Sequence, residues 1–218
     1  MRTAILAAAA LLALPAAASA QPFELDYVGA RAGSMGLGGE VGFELLPGLS
    51  GRIVANGYDF SYDTEASGVN YEGDLSLGTF GAQLDFQPIP LVPLYLTGGI
   101  YRNGNEVSVT GRPTTATQIG NTVYSPQQIG TLTSTVTFDD WSPYAGLGLR
   151  FGFGPAEMAL EGGVLRQGEP QAALSATGLL ASDPAFRADL ERESAALVDE
   201  LDEFELYPVI NLSLRFKF

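Results

Sequence analysis

The chain has 218 residues, with 11 Lys and Arg against 25 Asp and Glu, 27 Gly, no Cys and no His. A net charge of −14 repels nucleic-acid phosphates and favours small cations or basic solutes. Without Cys there is no disulfide framework or thiol chemistry; without His the commonest general base and metal ligand are missing.

Arg2, the apolar run from Ala4 to Leu14 and the small residues Ala18, Ser19 and Ala20 read as a secretory signal peptide over 1–20, with Gln21 the new N-terminus. The run is shorter than the roughly 20 apolar residues of a membrane-spanning helix. Its removal leaves 10 basic against 25 acidic residues in a single domain over 21–218. No later stretch is apolar for the roughly 18 residues a spanning helix needs. The expected exported product is periplasmic, secreted or an outer-membrane barrel.

Alternating apolar and polar residues then predict eight strands. Leu25 to Gly33 is the weakest. Leu37 to Leu46 sets Leu37, Val41, Phe43 and Leu45 opposite Glu40 and Glu44. Ser50 to Tyr62 carries Tyr58, Phe60 and Tyr62 near its end. In Tyr71 to Gln87 the outward set changes from Tyr71, Leu75 and Leu77 to Phe80, Leu84 and Phe86, which predicts a bulge near Gly78. Leu94 to about Val109 follows. Leu132 to Phe153 carries Leu132, Val136 and Phe138, changes parity at Asp139 and Asp140, and continues with Trp141, Pro143, Ala145, Leu147, Leu149, Phe151 and Phe153. Glu157 to Gln167 sets Met158, Leu160 and Val164 opposite Glu157 and Glu161.

Between Gly168 and the last strand, Asp183 and Pro184 form a helix start. Phe186, Leu190, Leu197 and Leu201 recur at helical spacing, predicting an amphipathic helix over 184–203. Its apolar stripe suits a lid over a barrel mouth; its acidic face suits a gate or a collector of cationic solutes. The final strand, from about Phe204, ends in strict alternation. Ile210, Leu212, Leu214, Phe216 and Phe218 share one face, Asn211, Ser213, Arg215 and Lys217 the other.

Short Pro- or Gly-rich turns (Leu46 to Leu49, Gln87 to Pro93, Phe153 to Pro155) alternate with mostly longer connections (Asp63 to Val69, Gly104 to Thr131, Gly168 to Glu203). That asymmetry is how outer-membrane barrels are built. Aromatic residues gather at both strand ends, as two interfacial girdles would: Tyr58, Phe60, Tyr62, Tyr71 and Trp141 at one, Phe86, Phe151, Phe153, Phe216 and Phe218 at the other. The predicted fold is all-β: an eight-stranded antiparallel outer-membrane β-barrel with one amphipathic helix in the last extracellular loop. A soluble lipocalin-like barrel would show the same alternation with the opposite facing. The terminal Phe218 favours the membrane form, since barrel-assembly machinery reads such a C-terminal strand. The expected surroundings are outer-membrane lipid and lipopolysaccharide, with no nucleic acid and no cofactor.

The outward assignment puts Arg31, Glu40, Glu44, Glu72, Asp74, Gln83, Asp85, Tyr95, Tyr101, Asp140, Tyr144, Arg150, Glu157, Glu161, Tyr207, Arg215 and Lys217 inside. So much charge does not suit a dry core. Two readings follow. The cations pair with the carboxylates and plug an eight-stranded lumen, or a net negative conduit favours cationic or zwitterionic solutes. Glu40, Glu44, Asp85, Asp140, Tyr144, Arg150, Glu161 and Arg215 are the lumen or solute candidates. An enzyme is disfavoured: no P-loop, nucleophile elbow or zinc spacing occurs.

The segment Trp141-Ser142-Pro143-Tyr144-Ala145-Gly146-Leu147-Gly148 resembles the Ala-Pro-Tyr-x-Gly-x-Gly segment of the ornithine-uptake porins, small outer-membrane proteins linked to carbapenem susceptibility. Ile119-Gly120-Asn121-Thr122-Val123-Tyr124 resembles that family's hairpin loop. Gln167-Gly168-Glu169-Pro170 and Tyr207-Pro208-Val209 fit in order. The resemblance implies an eight-stranded barrel taking up small basic amino acids, and it supplies no ligand residue to carry over.

Overall fold

The computed structural model describes residues 24–66 and 69–218. The segment 1–20, read as a signal peptide, and Gln21 lie outside them. The described strands are β1 (Glu24–Gly33), β2 (Gly36–Leu46), β3 (Leu49–Ala66), β4 (Val69–Phe86), β5 (Leu94–Asn103), β6 (Glu106–Pro113), β7 (Thr117–Ile119), β8 (Thr122–Tyr124), β9 (Leu132–Thr137), β10 (Trp141–Phe153), β11 (Ala156–Arg166), β12 (Gln171–Ala176) and β13 (Leu206–Lys217). Two helices, α1 (Pro126–Ile129) and α2 (Pro184–Leu201), lie in the connections. Neither is long and apolar enough to cross a membrane.

Eight strands close in the antiparallel order β1-β2-β3-β4-β5-β10-β11-β13, and β13 returns to β1. Closure removes every sheet edge within this ring. The alternation read from the sequence faces as a membrane barrel requires. Leu37, Phe80, Leu147, Leu160, Leu212 and Phe216 are exposed, while Glu40, Asp85, Glu161 and Arg215 are buried. The apolar set looks out and the ionised set fills the hollow. Phe86, Phe151, Phe153, Phe216 and Phe218 form an exposed aromatic rim at the short-turn end.

At the other end one wall rises beyond the ring. The register Asn103↔Thr79 carries on as Glu106↔Ser76, so β6 continues β5 along β4 after a break at Gly104 and Asn105. Likewise Trp141↔Arg102 and Thr137↔Glu106 lie in one register, so β9 leads into β10. Across β11 and β12 the register moves by one residue, from Leu165↔Tyr144 to Gln171↔Thr137. Gly168 takes up the irregularity in a left-handed conformation (φ 79°), where a Cβ would also strike the Asp139 carboxylate. The result is a five-stranded extension, β3-β4-β6-β9-β12.

The predicted bulge at Gly78 is absent: β3 and β4 pair without a shift from Leu49↔Phe86 to Ala66↔Val69. What changes there is polarity. Below the rim the inner face carries Arg52, Asn56, Thr79 and Asp85. Above it, the same inner face carries Tyr58, Phe60, Leu75 and Leu77, paired as Tyr58↔Leu77 and Phe60↔Leu75. The outer face changes from Ile53, Phe80 and Leu84 to Asp59, Ser61, Asp63 and Asp74. A strand leaving the bilayer meets water on its outer face, so the polar set moves there without any slip of register. The parity change expected at Asp139 and Asp140 is the same inversion, at an interruption in one strand.

Three expectations change in consequence. Tyr58, Phe60, Tyr62 and Tyr71 belong to the inner face of the extension, and Phe80 and Trp141 are the exposed aromatics at that membrane boundary. Glu72 and Asp74 lie on the solvent face: Glu72 pairs with Arg112 at 3.1 Å, and Asp74 accepts from Ser61 at 2.6 Å. Most of the loop expected from Asp63 to Val69 is strand.

The helix expected over 184–203 forms over Pro184–Leu201, followed by a 3₁₀ turn, Asp202–Glu205. Asp183 Oδ1 accepts the Ala185 and Phe186 N–H groups at 2.9 and 3.1 Å, capping it as read. Phe186 and Leu190 pack with Ile119, Tyr124 and Ile129 of the β7–β8 hairpin region against Leu132, Leu174 and Ala176 of the extension.

Candidate functional site

The lumen is built by glycine on one strand facing tyrosine on its neighbour. A Cβ on Gly42 would lie 2.0 Å from the Tyr27 ring, on Gly148 2.3 Å from Tyr95, and on Gly81 2.6 Å from Tyr101. These glycines let large rings lie flat against the wall of a narrow barrel. Arg215 stacks on Tyr27 at 4.7 Å and Arg150 on Tyr95 at 4.2 Å, which adds cation–π attraction at desolvated positions.

Four guanidiniums and four carboxylates meet in the middle of the lumen. Glu40 of β2 receives Arg215 Nε at 2.5 Å, Arg52 Nη1 at 3.3 Å and Arg31 Nη1 at 3.4 Å. Glu161 of β11 accepts Arg52 Nη2, the Tyr144 hydroxyl at 2.8 Å and the Tyr95 hydroxyl at 2.9 Å. Asp85 of β4 faces Arg52 Nε and Arg150 Nη2, each at 3.3 Å. Glu157 receives Arg215 Nη1 at 3.2 Å. Arg215 is 0% exposed and Glu40 2%. Ions this dry are tolerated only when paired and hydrogen-bonded on several sides.

Above the cluster, toward the tight turn at Ser34 and Met35, lies an apolar layer of Met35, Val54, Tyr101, Tyr144, Leu165 and Val209, each at most 4% exposed. Tyr101 and Tyr144 meet edge to face at 5.7 Å. Tyr207 packs against this layer and donates to the Ser34 carbonyl at 2.5 Å. Higher still, Asn56 donates to Thr79 at 2.9 Å and Asn105 to Gln167 at 3.1 Å. Cluster and apolar layer are both buried inside the ring.

At the short-turn mouth a cavity of about 150 Å³ opens among Asp26, Glu44, Ser50, Asp85, Arg150 and Lys217. It holds both signs of charge. Lys217 reaches Glu157 at 3.3 Å and Asp26 at 3.9 Å.

Of the eight sequence candidates, the fold gathers Glu40, Asp85, Tyr144, Arg150, Glu161 and Arg215 into one connected group. Glu44 stands at the exposed mouth. Asp140 is exposed at the β9–β10 break, where its carbonyl accepts the Asn103 N–H at 2.8 Å. The hub missing from those candidates is Arg52, which touches Glu40, Asp85 and Glu161. It shares parity with Tyr58, Phe60 and Tyr62, so taking those aromatics as lipid-facing hides it. The signal that reveals it is local. Ile53 and Ala55 mark the opposite face as apolar, and an Arg on the lipid face costs about 2–4 kcal/mol at mid-bilayer. With Arg52 included, four guanidiniums face four carboxylates and the central group is balanced in charge.

Each buried carboxylate in the cluster is held by a guanidinium. Among the described residues no group of three or more acidic side chains converges as a metal-ligand set.

No protein-family profile matches the sequence, and no curated protein matches it. Several solved structures match most of its length, two of them with a TM-score above 0.5 among those compared. The crystal structure of CarO2 from Acinetobacter baumannii matches with a TM-score of 0.61 and 18% identity, covering 90% of this chain and 99% of that one. The crystal structure of CarO from the same organism gives 0.58 and 18%, covering 89% and 98%. At the level of fold this agrees with the resemblance drawn from the motifs: the chain has the architecture of these small outer-membrane β-barrels.

Proposed function

We propose that this protein is an outer-membrane β-barrel whose lumen is closed at mid-membrane, and that it works as a surface and interaction barrel rather than as an open water-filled pore. The supporting observation is the stack of the charge-balanced cluster under the apolar layer of Met35, Val54, Tyr101, Tyr144, Leu165 and Val209. A polar conduit needs a continuous wetted wall, and this layer interrupts it. In this reading the 1–20 segment directs export, and the strand ending at Phe218 is handed to the barrel-assembly machinery. The apolar belt then sits in outer-membrane lipid and lipopolysaccharide, with the extension outside the cell.

A second reading is uptake of small cationic or zwitterionic solutes such as basic amino acids. The mouth cavity favours it, because Asp26, Glu44 and Asp85 suit an ammonium group while Arg150 and Lys217 suit a carboxylate. Passage beyond that vestibule requires Arg52 and Arg215 to leave their partners. Planar-bilayer conductance and liposome swelling with arginine or lysine separate the readings. The closed barrel gives no steady conductance and no swelling; saturable flux of a basic amino acid overturns it.

A further inference from the structure

The extension has two open edges, β12 and β3, and the chain treats them differently. Along β12, helix α2 packs against the strand, and Ser194 Oγ accepts the Leu174 N–H at 3.2 Å. Helix α2 thus covers part of that edge. Along β3, pairing with β2 ends at Leu37↔Gly57, while pairing with β4 continues to Ala66↔Val69. From Tyr58 onward the far side of β3 has no strand beside it among the described residues. Such an edge presents a row of backbone donors and acceptors that recruits another strand.

The side chains of this edge select the recruit. Tyr58, Phe60 and Tyr62 occupy the inner face and are 48%, 50% and 60% exposed. Asp59, Asp63 and Glu65 alternate with them on the outer face. We propose that the β3 edge from Tyr58 to Glu65 takes up an extended, cationic amphipathic polypeptide as an added strand. Its apolar side chains continue the aromatic stripe, and its Lys or Arg side chains lie beside the three carboxylates. Both strands have period two, so one register satisfies both faces. A second copy of this chain is a poor occupant, since β3 against β3 sets like charges opposite one another. An anionic lipid surface is repelled by the same carboxylates. The inference rests on the outer-membrane reading only in placing the extension in water, and it is independent of whether the lumen passes solutes.

The test uses the full chain in neutral detergent micelles, with fluorescence anisotropy of a labelled peptide of about eight residues alternating Lys and Val. The alternating peptide binds, with an affinity that falls as salt rises. A block peptide of the same composition, all Lys followed by all Val, binds much more weakly. N-methylation of alternate peptide nitrogens, tried in both frames, removes binding in the frame whose N–H groups face β3. The combined variant Asp59→Asn, Asp63→Asn, Glu65→Gln weakens binding about tenfold and flattens the salt dependence, with unchanged heat-modified electrophoretic mobility as proof of the barrel. Absence of binding overturns the proposal, as does equal affinity for the block peptide, an unaffected triple variant, or self-association of the protein through this edge. Failure of the outer-membrane reading shows separately, as failure to insert into lipid.

Discussion

Arg52 and Glu161 meet across the full width of the barrel. Arg52 projects from β3 and Glu161 from β11, four strands apart in either direction around the closed ring, and Arg52 Nη2 donates to Glu161 Oε2. A side-chain bond between opposite walls means that the interior is two side chains wide, as expected for eight strands. Because the same guanidinium also reaches Glu40 and Asp85, one residue ties three strands to β3 through the lumen.

Arg52→Met is expected to cost about 3–5 kcal/mol, because it strands buried carboxylates without their cation. The exposed pair of Arg112 with Glu72, at 3.1 Å, is the control: Arg112→Met costs less than about 1 kcal/mol. Urea unfolding in detergent, followed by tyrosine fluorescence and electrophoretic mobility, measures both. Equal losses would show that the cluster is hydrated and not a buried plug.

Gly148→Ala sets a methyl group against the Tyr95 ring, 2.3 Å from Cζ, whereas a Cβ on Gly162 meets nothing within 4 Å. The first substitution is expected to destabilise by about 1–3 kcal/mol through overpacking; Gly162→Ala should be near neutral. Tyr95→Ala in the Gly148→Ala background removes the clash, so the two losses are not additive. Midpoints of thermal unfolding for the wild type, Gly148→Ala, Tyr95→Ala and their double variant, with Gly162→Ala as a fifth protein, test this.

The double variant Tyr101→Ala, Tyr144→Ala removes the two largest side chains of the apolar layer. Both rings are buried, and Tyr144 also donates to Glu161 at 2.8 Å. Ion conductance in planar bilayers is expected to rise from baseline to a resolvable level in this variant. Leu179→Ala, at an exposed position in the last long connection, should leave conductance at baseline. A silent double variant would place the barrier in the ion-pair cluster instead.

Asp183→Ala removes the acceptor for two N–H groups at the start of α2. A lost cap of this kind costs about 1 kcal/mol. Hydrogen exchange should therefore quicken roughly fivefold in the first turn of α2, with the barrel strands unchanged.

Read alone, the residues carry the barrel a long way. Strict alternation from Ile210 to Phe218 and the alternation of short and long connections specify the strands, their closing order and the outward set in the ring. The same alternation places Glu40, Asp85, Tyr144, Arg150, Glu161 and Arg215 inside, and Asp183 with Pro184 marks the helix start. Period two is a local property, so the chain's own pattern reports it. What it does not report is which medium touches each face. At the rim the outer face passes from lipid to water, and the polar and apolar sets exchange sides while the register runs on from Asn56↔Thr79 to Tyr58↔Leu77. Only the folded chain shows that exchange, because it shows where β2 stops and the ring ends. The same rim hides Arg52 behind the parity of Tyr58, Phe60 and Tyr62. The charge balance of the lumen depends on Arg52, whose partners lie 12, 33 and 109 residues away. Contacts of that separation come from ring closure, which no window of sequence contains.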